Sequence, residues 1–244
     1  MKTLFHFLMP VLLFFSVSGC IIDLDDDDFG ACERGRGGVV EQVLNLPDFD
    51  GIDFRMSGEV YLRQGDRQEV VVQGYDNLID RLDLRVRDGI WEIDINGCTR
   101  NPDDFVFFIT LPDVRYLEIS GSGDIISETV LATNDIDLRI DGSGDLDLAL
   151  DVDDVFAELT GSGDIYLEGS GDELLYEVDG SGELRAFNCS FNEVDVEVNG
   201  SGDCEVLVNN RLRVRIDGSG DVYYRGDPEI LVTINGSGDL VDAN

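Results

Sequence analysis

Gly-Ser-Gly followed by an acid recurs in phase seven times, beginning at Gly121, Gly142, Gly161, Gly180, Gly200, Gly218 and Gly236. The steps between copies are 21, 19, 19, 20, 18 and 18 residues. A period this regular marks a chain built from one supersecondary unit that buries its apolar side only against its neighbours. The flanks of the motif repeat as well. Two places before the first glycine stand Ile119, Ile140, Leu159, Val178, Val198, Ile216 and Ile234, and four places before it Leu117, Leu138, Ala157, Tyr176, Val196, Val214 and Val232. Directly after the acid come Ile125, Leu146, Ile165, Leu184, Cys204, Val222 and Leu240. Apolar residues two apart with polar ones between them are the pattern of half-buried strands. Each unit therefore reads as strand, glycine corner, strand and a second, more variable turn.

Two all-β architectures fit: a parallel β-helix in which each repeat is one coil of about 18–21 residues, and an antiparallel meander of hairpins. Like corners lying on like corners favour the β-helix, because coils only ~4.8 Å apart leave little room for a side chain at the corner. The serines of the motif would then form a column able to hydrogen-bond along the stack. A further Gly169-Ser170-Gly171-Asp172 falls out of phase and reads as the variable turn of its coil. Upstream, Ile52, Phe54, Met56-Ser57-Gly58-Glu59, Val60 and Leu62 copy the template with Met in place of the first glycine, and 84–90 gives a weaker echo. Residues 39–110 are thus expected to be degenerate coils forming an N-terminal cap, and 111–244 the repeat array. Helical repeats are excluded by the missing 3.6-residue period and by the glycines in every unit.

The N-terminus carries Lys2, an apolar run from Leu4 to Phe15 and then Val17-Ser18-Gly19-Cys20. The run is too short to span a bilayer. The order of parts resembles a bacterial lipoprotein signal, with residues 1–19 removed and Cys20 acylated. Acyl chains contribute ~0.8 kcal/mol per buried CH₂, enough in combination to hold the chain on a membrane. Residues 20–38 are acidic and then glycine-rich, the composition of a flexible tether.

Loss of residues 1–19 removes Lys2 and His6, the only Lys and His of the chain. What remains holds 16 Arg and 52 Asp plus Glu, a formal charge of −36. Such a surface repels nucleic acid and anionic headgroups. Without His or Lys there is no Ser-His or Cys-His dyad, imidazole metal site, Schiff base or P-loop. Only carboxylate-based hydrolysis stays open, and among so many acids no particular pair is marked out. The expectation is a non-enzymatic chain without a required cofactor.

Cys32 and Cys98 flank the cap in irregular segments of an exported chain, and a disulfide between them is expected. Cys189 and Cys204 read as small hydrophobes. Asp124, Asp145, Asp164, Glu183, Asp203, Asp221 and Asp239 should line one edge of the solenoid, as turn residues accepting backbone N–H bonds. The sharper alternative is a strip that binds Ca²⁺ weakly, since neighbouring carboxylates ~5 Å apart repel by ~0.8 kcal/mol even in water. Outward arginines, Arg139, Arg185, Arg213, Arg215 and Arg225, should pair across coils with Asp137, Asp147, Glu197 and Asp195. Tyr166 and Tyr223 alone are too few for a stacking platform.

The opening Phe49-Asp50-Gly51-Ile52 with Gly58-Glu59-Val60, the Val86-Arg87-Asp88-Gly89-Ile90 segment and the GSGD series resemble the bacterial head GIN-domain family, a group of unknown function labelled putative autotransporter adhesins. The resemblance covers roughly residues 39–244. It implies a right-handed β-helix at the cell envelope and supplies no catalytic or binding residues. The reading is a lipid-anchored β-solenoid on the outer membrane, periplasmic or surface-exposed, presenting an acidic face to an unidentified envelope or extracellular partner. A carboxylate-dependent enzyme acting on envelope polysaccharide and a purely structural envelope component are the alternatives.

Overall fold

The computed structural model describes residues 32–100 and 105–244, so the signal segment, Cys20 and the tether up to Ala31 lie outside the described residues. The N-terminal part contains β1 (Glu33–Arg34), β2 (Val39–Leu44), β3 (Gly51–Phe54), β4 (Glu59–Gln64), β5 (Glu69–Tyr75), the one-turn α1 (Asp76–Ile79), β6 (Val86–Arg87), β7 (Ile90–Ile93), β8 (Thr99–Arg100) and β9 (Val106–Leu111). The array follows as β10 (Tyr116–Ile119), β11 (Asp124–Ser127), β12 (Leu131–Ile140), β13 (Leu146–Leu159), β14 (Ile165–Val178), β15 (Leu184–Val198), β16 (Cys204–Ile216), β17 (Val222–Arg225), β18 (Glu229–Ile234) and β19 (Leu240–Asp242).

Every pairing within the array is parallel. The residues two before each corner lie in one file: Ile119 opposite Ile140, then Leu159, Val178, Val198, Ile216 and Ile234. The hairpin meander is thereby excluded, since its neighbouring strands would run in opposite directions. The fold is a parallel β-solenoid. One wall is made of the strands leading into the corners and the other of the strands leaving them, and β13 to β16 run from one wall to the next through the variable turn. Gly169 sits at that turn, opposite Leu150 on one side and Cys189 on the other, as its out-of-phase position suggests.

Inward files are sealed from solvent. Ile119 through Ile216, Leu117 through Val214 and Ile125 through Val222 are all buried. Side-chain volumes compensate along a file: Tyr176, the largest member of its column, lies between Ala157 and Val196. This is what close packing at fixed coil spacing requires. The Tyr176 ring is fully buried and its hydroxyl has no hydrogen-bond partner.

The cap is made of coils, but they are laid down out of order. β3 lies between β7 and β10, and β4 between β9 and β11. The winding formed by β3 and β4 is therefore sandwiched between β7 and β9 on one side and the first winding of the array on the other. Beyond β9 the direction reverses, with β5 antiparallel to β9 and β2 antiparallel to β5. Large rings fill this end: Trp91 packs edge-on against Phe107 at 5.9 Å, and Phe105 stacks on Phe107 at 5.8 Å. Asp53, buried among its neighbours, pins three windings together. Its carboxylate accepts from Arg55 Nε at 2.6 Å and from Ser120 Oγ at 3.0 Å, while Arg55 also pairs with Glu92 at 3.2 Å.

Residues 32–38 differ from the tether expected of them. β1 pairs with β8, and Cys32 forms a disulfide with Cys98 across a separation of 66 residues. Asn77 adds bonds from its side chain to Glu33 and to the carbonyl of Arg34.

Candidate functional site

The corner has an internal logic that accounts for each residue of the motif. The second glycine of each copy is buried, and the serine is exposed. At Gly163 an added Cβ would overlap the carbonyl oxygen of Gly144 and lie 2.9 Å from its carbon. The same clash with the winding below recurs at Gly144, Gly182, Gly202, Gly220 and Gly238. Glycine is therefore required here by close approach of two backbones. The serines bond along the stack through their backbone, not their hydroxyls: Ser162 N–H donates to Gly142 O at 3.0 Å and Ser181 N–H to Gly161 O at 2.8 Å. Among the described residues none of the seven hydroxyls takes a partner, so the expected hydroxyl column is replaced by a backbone one.

The acid column is a ladder. Asp145 N–H donates to Asp124 Oδ1 at 2.9 Å, Asp164 N–H to Asp145 Oδ1 at 2.8 Å and Glu183 N–H to Asp164 Oδ1 at 2.9 Å. Past one gap it resumes, with Asp221 N–H donating to Asp203 Oδ1 at 2.7 Å and Asp239 N–H to Asp221 Oδ1 at 2.8 Å. Each carboxylate replaces the main-chain acceptor that the bend removes. Glu183 breaks the ladder because it is one methylene longer, and its carboxylate turns to Arg185 at 2.7 Å. Burial, together with the charges of Asp124 and Asp164, pushes the Asp145 carboxyl above its ordinary range, although the bond from Asp164 N–H pulls the other way. Among the described residues no three His, Cys, Asp or Glu side chains converge as a metal site.

Outward arginines tie neighbouring windings together. Arg213 reaches Asp195 at 2.5 Å and Arg215 lies 3.8 Å from Glu197, as the parity argument expects. Three others take different partners. Arg139 approaches Glu158 at 4.0 Å and lies between the rings of Tyr116 and Phe156, Arg185 joins Glu183, and Arg225 Nε donates to Ala243 O. Cys189 and Cys204 are buried free thiols, with burial pushing Cys189 up to about 12.

The wall that leaves the corners carries a cleft. It has a volume of about 310 Å³ and is lined by Tyr166, Leu167, Arg185, Phe187 and Asn188 together with Asp147, Glu168 and Glu205. It exists because the winding that starts at Leu184 is longer than the next one: pairing jumps from Ala186–Val206 to Ser190–Leu207. Phe187 faces outward beside this jump, and the Arg225 guanidinium lies 4.0 Å from its ring centre. The Arg185 guanidinium lies 5.2 Å from the ring of Tyr166. Parity counting places Phe187 outward with Arg185 but misses Asn188, because a bulge resets which residues face out. The repeat steps of 20 and then 18 residues are the one sequence signal of this irregularity. A larger groove, of about 450 Å³, lies at the cap beside Phe49, Arg67 and Pro112, where Gln68 fastens the crossing loop by accepting from Phe49 N–H and donating to Pro47 O.

Residues 48–228 match the family described as putative auto-transporter adhesin, head GIN domain. The chain belongs to this family. Solved structures agree on the fold. A putative adhesin from Bacteroides fragilis NCTC 9343 superposes with a TM-score of 0.81 at 24% identity, covering 85% of this chain and 98% of its own. A protein described as a putative lipid binding protein, from Parabacteroides distasonis ATCC 8503, gives 0.73 at 24% identity, covering 87% and 100%. A putative adhesin from Parabacteroides merdae ATCC 43184 gives 0.68 at 19% identity, covering 86% and 98%. No curated protein matches the chain. This head GIN domain shares its β-solenoid fold with those structures, and adhesin-like membership points to the cell envelope or surface. Among the described residues no helix is long and apolar enough to cross a membrane.

Proposed function

We propose that this head GIN domain is a non-catalytic binding scaffold of the outer membrane, anchored through an acylated Cys20 and presenting acidic walls to an envelope or extracellular partner. The observation that carries the reading is the distribution of charge over a regular stack. Residues 116–244 hold 30 Asp and Glu against 6 Arg. The corner acids among them hold the windings together, and the rest stand on the two walls and the variable turns. A rigid, repeated, highly charged face suits recognition by complementary charge. Membership of an adhesin-like family supports the same reading.

Retention on envelope fractions tests it. The full chain should be held by envelope material at low salt and released near 1 M salt, where the screening length falls to ~3 Å. Cys20→Ala should move the protein from the membrane to the soluble fraction. Salt-independent retention, or an unchanged membrane fraction for Cys20→Ala, would remove the respective half of the proposal. The acid ladder acts in this scheme as corner chemistry and not as a cofactor site, so millimolar Ca²⁺ should leave the melting temperature unchanged. A role in lipid binding, of the kind named for one structural neighbour, would have to use the surface, because stacked side chains fill the interior files.

A further inference from the structure

The bulge cleft sets two aromatic rings beside four polar side chains, and this chemistry narrows what it can hold. On the opposite wall each outward arginine of β16 has an acid partner: Arg211 with Glu193, Arg213 with Asp195 and Arg215 with Asp217. Inside the cleft, the side chains of Asp147, Glu168, Asn188 and Glu205 make no hydrogen bond or ion pair among the described residues. Two rings stand beside them, each already fixed by a guanidinium. Arg185 is fixed in turn, by Glu183 at 2.7 Å, so the Tyr166 ring is held in place before any ligand arrives. Tyr166 is further fastened by donating from its hydroxyl to Asp164 Oδ2 at 3.1 Å.

Three ligand classes are disfavoured by these groups. An anion would meet three carboxylates. An organic cation would meet the guanidinium groups of Arg185 and Arg225, 5.2 and 4.0 Å from the two ring centres. An apolar ligand would strip water from four polar side chains and return no hydrogen bond. A neutral polyhydroxyl ligand meets none of these penalties. Carboxylates accept from pairs of hydroxyls, an amide donates and accepts at once, and the C–H face of a sugar ring lies against an aromatic ring. The volume of about 310 Å³ stands at the lower end of the ~300–1,000 Å³ found for small-molecule sites, which suits a short saccharide or the end of a glycan.

We propose that the cleft at the Phe187 bulge is a binding site for a neutral saccharide, with Tyr166 and Phe187 as its apolar side and Glu168, Asn188 and Glu205 as its hydrogen-bonding groups. The site deepens the reading of a binding scaffold and rests on it. It needs neither the lipid anchor nor the acidic walls as a whole.

The test uses the full chain in a sugar-free detergent, screened against immobilised neutral mono- and oligosaccharides, with each hit titrated by calorimetry. At least one neutral saccharide should bind, with an affinity little changed by salt. Tyr166→Ala and Glu168→Gln should each weaken it at least tenfold, and Tyr166→Phe should retain it. Asp195→Asn, on the opposite wall, should leave it unchanged. Melting curves of the four variants separate lost binding from lost fold. The proposal is overturned if no neutral saccharide binds at millimolar concentration. It is equally overturned if a hit is bound as well by Tyr166→Ala and Glu168→Gln, or if only cationic amines bind and salt abolishes them. Sugar binding without retention on envelope fractions would refute the envelope reading alone, and retention without sugar binding would refute this site alone.

Discussion

Gly163→Ala is the sharpest perturbation of the stacked corner. The new methyl would overlap the carbonyl oxygen of Gly144 and lie 2.9 Å from its carbon and 3.2 Å from its nitrogen, all of them backbone atoms that cannot swing aside. Relief requires the two windings to separate by roughly 1.4 Å, given ordinary C···O contacts of ~3.3 Å. That movement breaks the bonds on either side, Ser162 N–H to Gly142 O at 3.0 Å and Asp164 N–H to Asp145 Oδ1 at 2.8 Å. Two bonds at about 1 kcal/mol each, with about 1–3 kcal/mol of overpacking strain, give a loss of about 3–5 kcal/mol. The restricted unfolded chain returns under 1 kcal/mol of this. Gly38 is the control, with no atom within 4 Å of its added Cβ, and Gly38→Ala should lie within about 0.5 kcal/mol of the parent. Equilibrium urea unfolding followed by far-ultraviolet circular dichroism measures both. A Gly163→Ala protein as stable as Gly38→Ala would refute the argument from close approach.

Three further outcomes follow from named atoms. Tyr176→Phe removes a buried hydroxyl that lacks a partner and should raise stability by about 1–2 kcal/mol; a less stable Phe variant would mean that the hydroxyl is bonded. Glu183→Asp should complete the ladder and slow hydrogen exchange at the Asp203 amide, with a gain of about 0.5–1 kcal/mol; unchanged exchange there would contradict the role given to side-chain length. Asp145 has a folded-state pKa raised above the ordinary 3.8, so its ionisation opposes folding. Stability should rise as pH falls from neutral through that raised value, and Asp145→Asn, which keeps the acceptor oxygen, should flatten this part of the pH profile. An equal pH response in the variant would show that the charge on Asp145 is immaterial.

Much of this architecture can be read from spacing, because a solenoid repeats its constraints at every winding. The files headed by Ile119, Leu117 and Ile125 follow from period-two patterning at a fixed distance from a glycine corner. The Met56-Ser57-Gly58-Glu59 winding follows from the same template. What spacing does not encode is which winding lies on which. Ile52 could stack on Leu117 or on Trp91 by pattern alone, and it does both, because the later segment 90–111 packs outside the earlier one. The antiparallel β2 and β5 escape the reading for a similar reason: alternation in Val70 and Val72 gives a strand but no direction. The serine hydroxyls mislead because residue type suggests a donor while the geometry of the corner points it at water. The cleft is hidden because it depends on a departure from the repeat. Phe187 follows the alternation of Leu184 and Ala186, but Asn188 faces outward only because three extra residues shift the phase of the winding there.

The central claim is that equivalent residues of successive windings lie one above another in parallel, and pulsed electron spin resonance tests it most directly. Spin labels would be placed at the exposed corner serines in a Cys20→Ser background, where the buried Cys189 and Cys204 stay unlabelled. Ser143 would be paired in turn with Ser201, Ser219 and Ser237, which are three, four and five windings away. At ~4.8 Å per winding the separations should be about 14, 19 and 24 Å, rising in even steps. Distances that fail to increase with winding number, or that alternate as hairpins would make them do, would contradict the stacked solenoid.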